Sequence, residues 1–535
     1  MNSLYFGDNL DVLREHLQDE SVDLIYLDPP FNSARDYNVL FLSPQGETSE
    51  AQITAFEDTW HWGEQAEREF AEIVHSGNTA VAEMMRALRD FLNENDVMAY
   101  LTMMANRLLE LHRVLKPTGS LYLHCDPTAS HYLKIILDGV FGKENYRNEI
   151  IWQRTNAHNF KSKQFHRVHD VVFFYAKTGN YTHNQLYGDF SPQQLARYQR
   201  DARTGRMFTG QDLTIIGGDL ASWRGTTPKA PRGWGMSLAE REKLWAADMI
   251  LKRQDGSPRL DGRKVWLDEK AGVPITDLWI DVERIGNTSK ERLGYPTQKP
   301  LALLERIITA SSNAGDVILD PFCGCGTAVH AAQKLGRRWI GIDITHLAVS
   351  LIEKRLKDAF PGIAFAVEGT PKDLEGARDL AGRDKYQFQW WACSLVNAQP
   401  YQGKKKGADG GIDGLIYFQD EARKHKKIVV SVKGGGNVNV AQVRDLAHVI
   451  EREKAEIGLF VTLAEPTRPM LTEAVKAGYY TSPASGKAFP KLQILSVGGL
   501  LDGSERALYP DLSQGATTFK KARVEEKPVD QKKLF

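Results

Sequence analysis

The chain has 535 residues, too many for one compact core, so two to four structural units are expected. Hydrophobic residues make up 42% and charged residues 25%, ordinary for a soluble globular protein. Lys+Arg and Asp+Glu both total 68, so global charge neither suggests nor excludes nucleic acid, and any surface for it must be a local patch. The four cysteines, Cys125, Cys323, Cys325 and Cys393, lack the paired spacing of a zinc site, and reduced thiols are expected. The N-terminus shows neither a basic start nor an apolar leader segment, and no run reaches the ~18 apolar residues of a membrane span. A cytoplasmic protein with no membrane partner is expected.

In chain order, Asp23–Leu27 reads as a short apolar strand stopped by Pro29 and Pro30, since neither proline can donate to a ladder. Asp28 and Phe31 therefore stand at the strand's carboxyl end, where open α/β sheets bind ligands. Apolar residues at helical spacing mark a helix over 97–116, ended by Pro117 and Gly119. Gly119–His124 is predicted as a strand, 128–141 as a helix and Val171–Tyr175 as a strand. Such alternation argues for a mostly parallel sheet with helices on both faces. From about 178 to 275 the chain turns polar, Arg-rich and punctuated by Gly and Pro, with Trp223, Trp234, Trp245 and Trp266 scattered through it. An inserted, surface-exposed subdomain is expected there. Regularity resumes at Thr276, with a helix at 301–308 opened by Pro300, a strand at Val317–Leu319, a helix at 327–335 and a strand at Trp339–Asp343. The expected organisation is 1–177 and 276–370 as two halves of one domain around the 178–275 insert, a polar linker at 370–385, a second α/β unit at 386–503, and a basic, partly disordered tail at 504–535.

Two motifs carry chemistry. Asp320-Pro-Phe-Cys-Gly-Cys-Gly-Thr327 joins a strand to a helix, and its glycines let the backbone turn tightly and approach a ligand. Asp343 closes the next strand, where an acid can accept both hydroxyls of a ribose. A dinucleotide fold for NAD is the rival, but Val329 stands where that fingerprint wants a third glycine. The sharper motif is Asp28-Pro29-Pro30-Phe31. An exocyclic amino nitrogen on a base is a poor nucleophile, because its lone pair is delocalised into the ring. A carboxylate accepting one N–H and a backbone carbonyl accepting the other would pull it toward tetrahedral geometry. The aromatic residue can stack on a base taken out of the duplex, worth ~1–3 kcal/mol.

Together these residues resemble the amino-methyltransferases of DNA in the permuted β class, in which the catalytic motif precedes the cofactor loop. Here DPPF stands at 28–31 and FCGCG at 322–326, with Gly294-Tyr-Pro-Thr-Gln-Lys-Pro300 similar to the motif upstream of the cofactor loop. The resemblance covers roughly the first 370 residues and implies a Rossmann-like α/β methyltransferase sheet with an inserted target-recognition region. It implies S-adenosylmethionine as cofactor and double-stranded DNA as partner, with a restriction or helicase subunit and a homodimer left open. It assigns the transfer to Asp28, Pro29, Pro30 and Phe31. It assigns the cofactor site to Asp8, Thr297, Lys299, Asp320, Phe322, Gly324, Gly326, Thr327 and Asp343. Arg224, Lys229 and Arg232 of the insert would contact DNA. Phe31 stands where the family more often has Tyr, keeping the stacking face. Asp rather than Ser at 28 tilts the acceptor toward adenine N6 over cytosine N4.

The second unit resembles the restriction-endonuclease-like core. Asp413 leads into a strand at Leu415–Phe418, and Lys427–Lys433 is the next strand. The resemblance implies Asp413 and Lys433 as catalytic residues, Asp413 as a ligand of Mg²⁺, and a combined restriction–modification enzyme as the alternative function. Ser431 departs from the expected Glu, Asp or Gln, and a hydroxyl is a weaker, neutral ligand for a hard cation. Asp409 is a further candidate carboxylate. A catalytically silent DNA-binding protein is the reading of a different class.

Overall fold

The computed structural model describes the chain except residues 31–35, 43–47, 58–60, 157–162, 287–288, 290, 294, 296, 402–409, 422–423, 513–517, 519–521 and 526–535; over 36–42 and 48–57 it describes the backbone alone. The chain divides into two compact units, one formed by Met1–Asn184 with Asp277–Gln531, the other by Gln185–Thr276.

The first unit holds two large sheets. The larger is built from β1 (Ser3–Phe6), β2 (Val22–Leu27), β3 (Leu115–Cys125), β4 (Tyr146–Gln153), β5 (His169–Ala176), β6 (Leu278–Trp279), β7 (Val317–Asp320), β8 (Arg338–Asp343) and β9 (Ala366–Glu368). Their order across the sheet is β6-β4-β5-β3-β2-β7-β8-β1-β9. Only β5 runs against the rest, pairing antiparallel with both β3 and β4. The central strands are nearly continuous apolar runs, as burial on both faces requires: in β2, Leu24, Ile25 and Leu27 are fully buried. Alternation along β8 shows the two layers. Ile342 joins a core with helices Asn9–His16, Asp96–Val114 and Ser130–Phe141. Gly341, on the opposite face, lies against Val329 of the helix Thr327–Lys334.

The helix Asp96–Val114 begins where Asn95 accepts from the Met98 N–H at 2.9 Å, and Met98, Leu101, Met104, Ala105, Leu108 and Leu111 are buried at the expected spacing. Pro117 and Gly119 lie inside β3, which starts at Leu115, instead of separating helix from strand. The register of β2 against β3 shifts between Val22 and Leu24, so the irregularity is absorbed there.

The second sheet runs β10 (Gln399–Pro400), β11 (Gly414–Glu421), β12 (Lys424–Lys433), β13 (Ile457–Thr462) and β14 (Leu492–Ser496), in that order. The first three are antiparallel and the last three parallel. Ile428, Val430 and Val432 face one core and Val429 the other. The stretch expected to be a linker is largely the helix Leu374–Arg383, whose Ala377 and Leu380 are buried in the first of these cores. Described residues of the tail are bonded rather than loose. Leu512 N–H donates to the Gln419 carbonyl at 2.7 Å, and Thr518 exchanges bonds with the Tyr417 backbone.

The second unit is a small β structure of its own. Ile250–Lys252, Pro258–Trp266, Met207–Gln211 and Gln199–Arg200 form a four-stranded sheet. Three of the tryptophans that look scattered in sequence make or border its core. Trp223 and Trp234 are buried with Leu213 and Ile250, and Trp245 packs beside them. Trp223 meets Trp234 and Trp245 edge to face at 5.4 and 5.7 Å between centroids. Residues 178–184, expected in the insert, belong to the first unit, where Asn184 N–H donates to the Ala310 carbonyl at 2.7 Å.

Candidate active site

The carboxyl ends of β1, β2, β7 and β8 surround a cavity of about 310 Å³ in the first unit. Asp8, Asp28, Asp320 and Asp343 line it, one from each strand end, together with the cations Arg107 and Lys299. Thr297, Phe322, Gly324 and Thr327 line it too, as does Pro30. Of the expected cofactor residues only Gly326 does not reach it. That glycine instead caps the helix Thr327–Lys334 at φ +74°, where an added Cβ would stand 2.7 Å from Ile352 Cγ1. Gly324, at φ +52°, lies under the Tyr295 ring. Pro29 is buried behind the cavity, and Phe31 lies outside the described residues, as do Gly294 and Pro296.

Each acid is held differently. Asp8 caps the helix Asn9–His16 through Leu10 N–H at 2.7 Å, and Arg107 Nη2 reaches both its oxygens at 3.0 and 2.9 Å. Asp343 accepts from Gly324 N–H at 2.8 Å and from both Thr345 N–H and Oγ1 at 2.9 Å. Burial nevertheless pushes its carboxyl up to about 6. Asp320 is more deeply buried and is pushed well above the usual carboxylate range by desolvation, with Asp28 and Asp343 nearby adding to the effect. Asp28 forms an ion pair through Oδ2 with Lys299 Nζ, both side chains mostly buried. Its Oδ1 is buried and has no hydrogen-bond partner among the described residues.

Several residues around the site escape a motif reading. Arg107 sits on the buried face of an apolar helix, and its signal was a cation inside that stripe. Tyr26, two residues before Asp28 and so on the same strand face, bonds through its hydroxyl to His124 Nδ1 at 3.0 Å. His124 Nε2 meets Asp170 Oδ2 at 3.2 Å, and Asp170 Oδ1 pairs with Arg154 at 2.9 Å. Trp390, from the helix Lys385–Leu395 of the C-terminal sheet domain, is buried with Tyr295, Cys325 and Leu347. The Gln387 side chain on that helix accepts from His346 N–H at 3.0 Å. All four cysteines are free and buried.

The C-terminal candidates also meet in space. Lys433 Nζ lies 3.8 Å from Asp413 Oδ2 and donates to Ser431 Oγ at 2.9 Å. Asp413 is already occupied by protein donors: Oδ1 accepts from Gln389 Nε2 at 2.5 Å, and Oδ2 from Val432 N–H at 2.6 Å. Asp409 lies outside the described residues. Among the described residues no group of three or more His, Cys, Asp or Glu is placed to hold a metal ion. Beside this point a cavity of about 810 Å³ is lined by Arg378, Lys385, Lys433, Gln442 and the turn Gly434–Gly436. No helix among the described residues is long and apolar enough to cross a membrane.

Asp28, with one oxygen unpartnered among the described residues, thus lines one cavity with the Gly324 turn and the strand-end acid Asp343. A family model for N6/N4 methyltransferases, described as DNA methylase, matches residues 22–354, and the chain belongs to that family. A second, described as restriction endonuclease, matches residues 380–479. The type II methyltransferase M.EcaI of Enterobacter cloacae is 31% identical over 264 residues, 48% of this chain and 57% of its own length. The Mod subunit of the type III restriction-modification enzyme StyLTI of Salmonella typhimurium is 27% identical over 355 residues, 62% of this chain and 50% of its own. This chain thus spans about half the length of these curated relatives. Among solved structures, the cytosine-N4-specific PvuII DNA methyltransferase aligns with a TM-score of 0.33 at 12% identity, over 66% of this chain and 86% of that one.

Proposed function

We propose that the protein transfers a methyl group from S-adenosylmethionine to the exocyclic amino group of a base in double-stranded DNA, adenine N6 ahead of cytosine N4. The observation that carries this reading is Asp28, with Oδ2 held by Lys299 and Oδ1 buried without a partner among the described residues. A buried acceptor left unsatisfied costs about 1–3 kcal/mol, which a donor of the right shape recovers. An amino group on a base brings two N–H donors. Asp28 Oδ1 accepts one, a carbonyl of the Pro29–Pro30 segment accepts the other, and the nitrogen lone pair turns out of the ring plane. Once the nitrogen has been methylated it carries one proton too many, and Asp28 Oδ1, already its acceptor, takes that proton. Phe31 is assigned the stacking role on the extruded base.

Of the four acids that line the cavity Asp320 is driven toward its neutral form, which leaves three carboxylates against two cations and suits a positively charged ligand. S-adenosylmethionine, when bound, supplies an electrophilic methyl on a cationic sulfur. Asp343 at the end of β8 would receive the ribose hydroxyls, and the Gly324 turn would let backbone N–H groups approach. The unit Gln185–Thr276 is assigned target recognition. Lys229, Arg232, Lys252, Arg253 and Arg259 line one cleft in it. Arg224 and Arg232 pair with Glu242 and Asp212 but stay partly exposed, so phosphates can compete for them. The C-terminal domain is read as a DNA-binding module that grips the backbone through Arg378, Lys385 and Lys433. The Mod-subunit relative favours a restriction subunit as protein partner, and a homodimer is a further assembly to test.

Sequencing with modified-base detection, on DNA from cells expressing the protein, tests the reading beside an Asp28→Ala control. N6-methyladenine at one motif, absent from the control, is the expected result. N4-methylcytosine would move the acceptor, and an unmodified genome with the purified protein equally inactive would overturn the proposal.

A further inference from the structure

The family resemblance assigns Thr297 and Lys299 of the Gly294–Pro300 segment to the cofactor, yet the lysine is ion-paired with the transfer motif. Lys299 Nζ meets Asp28 Oδ2, with the two side chains only 10% and 17% exposed. From the ion pair and the unpartnered Oδ1 together, we infer that Lys299 is a positioning residue for the transfer step, fixing Asp28 as a carboxylate with one oxygen presented to the base. The inference rests on the methyltransferase reading above and assigns the lysine a role distinct from cofactor binding.

The physical case has three parts. A carboxylate at a strand end can rotate about its Cβ–Cγ bond and present either oxygen. A lysine fixed by burial occupies one oxygen and leaves a single acceptor, so the amino group meets one geometry. Other acids crowd the same cavity, and an ammonium at one Asp28 oxygen offsets their charge. Asp320 from β7 lies close, and Asp343 from β8 lies beyond it. Tyr26 on β2, Cys125 at the end of β3 and Tyr295 also feel the Asp28 charge, with Asp170 acting on the first two, and none of these four described groups is a cation. Only a carboxylate at Asp28 can take the proton released after transfer. The second cation lining the cavity, Arg107, is committed to Asp8 by two bonds, so it does not replace Lys299 at Asp28. The segment's left-handed Thr297, at φ +63°, shows how tightly the backbone turns to bring Lys299 inward.

Lys299→Met and Lys299→Arg, with wild type and Asp28→Ala beside them, separate this role from cofactor binding. Calorimetric titration with S-adenosylhomocysteine reads the cofactor site without turnover, and single-turnover transfer at saturating cofactor reads the chemical step. The expected Lys299→Met result is cofactor affinity within about threefold of wild type and transfer slowed about 100-fold. The loss should fall on the transfer rate and leave the cofactor site intact. Lys299→Arg, which keeps the charge and a donor at Asp28, should recover part of the transfer rate. Cofactor affinity lost with single-turnover transfer unchanged would overturn the inference, making Lys299 a cofactor ligand only. Transfer slowed equally in both variants would overturn it as well. Absence of transfer by wild type is the separate failure of the methyltransferase reading.

Discussion

Two aspartate–lysine pairs sit at the two sites of this chain, and they are prepared in opposite ways. Asp28 holds its lysine with one oxygen and keeps the other buried and unpartnered among the described residues. Asp413 has Lys433 at 3.8 Å, and both its oxygens already accept bonds, from Gln389, Val432 and Ser431. An unsatisfied buried acceptor raises the free energy of the empty site and is a reason for a ligand to bind, whereas a satisfied one stabilises the fold whether or not a ligand adds to it. The same two residue types therefore leave a buried oxygen open in one place and tie both oxygens to protein donors in the other.

The largest expected effect is the loss of methyl transfer in Asp28→Ala, about 10³-fold or more in a tritiated-methyl assay, with thermal stability near that of wild type. Asp413→Ala in the same assay should keep wild-type transfer within about twofold. Comparable losses in both would erase the contrast. Trp390→Ala probes the join between the regions, since Trp390 is buried against Tyr295 and Cys325 of the cavity wall. Its removal should cost about 3–5 kcal/mol in denaturant unfolding and weaken cofactor binding along with it. A stability loss with unchanged cofactor affinity would show that the cavity wall stands without its neighbour. Asp413→Ala should cost about 1–3 kcal/mol, because it strands the Val432 N–H and the Gln389 amide. No loss of stability would mean that these bonds do not stabilise the fold.

The smallest effect concerns pH. Burial raises the Asp343 carboxyl to about 6, above its unfolded value, so the folded state binds the extra proton and the anion is the costly form. This group's contribution is favourable below the unfolded pKa of about 3.9 and is lost as pH rises through about 6. Asp343→Asn should therefore be more stable than wild type at pH 7 without cofactor, with the difference shrinking as pH falls from 6 toward 4. A difference constant across that range would show that Asp343 is not held in a raised state. Cofactor affinity should fall in this variant, since the ribose loses a charged acceptor.

Much of this was legible from residue order. The run of apolar residues before Asp28, the prolines after it, and the glycines between Asp320 and Thr327 announce strand ends and turns, because local conformation there follows from missing donors and missing Cβ atoms. Residues recruited across the sheet were not legible. Arg107 reaches Asp8 from 99 positions away, and Tyr26 finds His124 across 98. The tryptophans of the Gln185–Thr276 unit carry no period, since a small β core gathers them from separate turns. The helix Leu374–Arg383 was hidden by its polar composition, which leaves only a narrow buried stripe of Ala377 and Leu380.

The sequence by itself determined the family, the order of the catalytic and cofactor motifs, and the strand ends on which both lie. Tertiary structure decided which carboxylate is left open, which are tied to Arg107, Gly324 or Thr345, and that Lys299 of the cofactor segment is the cation on Asp28. The division has a physical reason. Backbone turns are fixed by neighbours in the chain, whereas the partner and the charge state of a buried carboxylate are set by groups that only folding brings within a few ångströms.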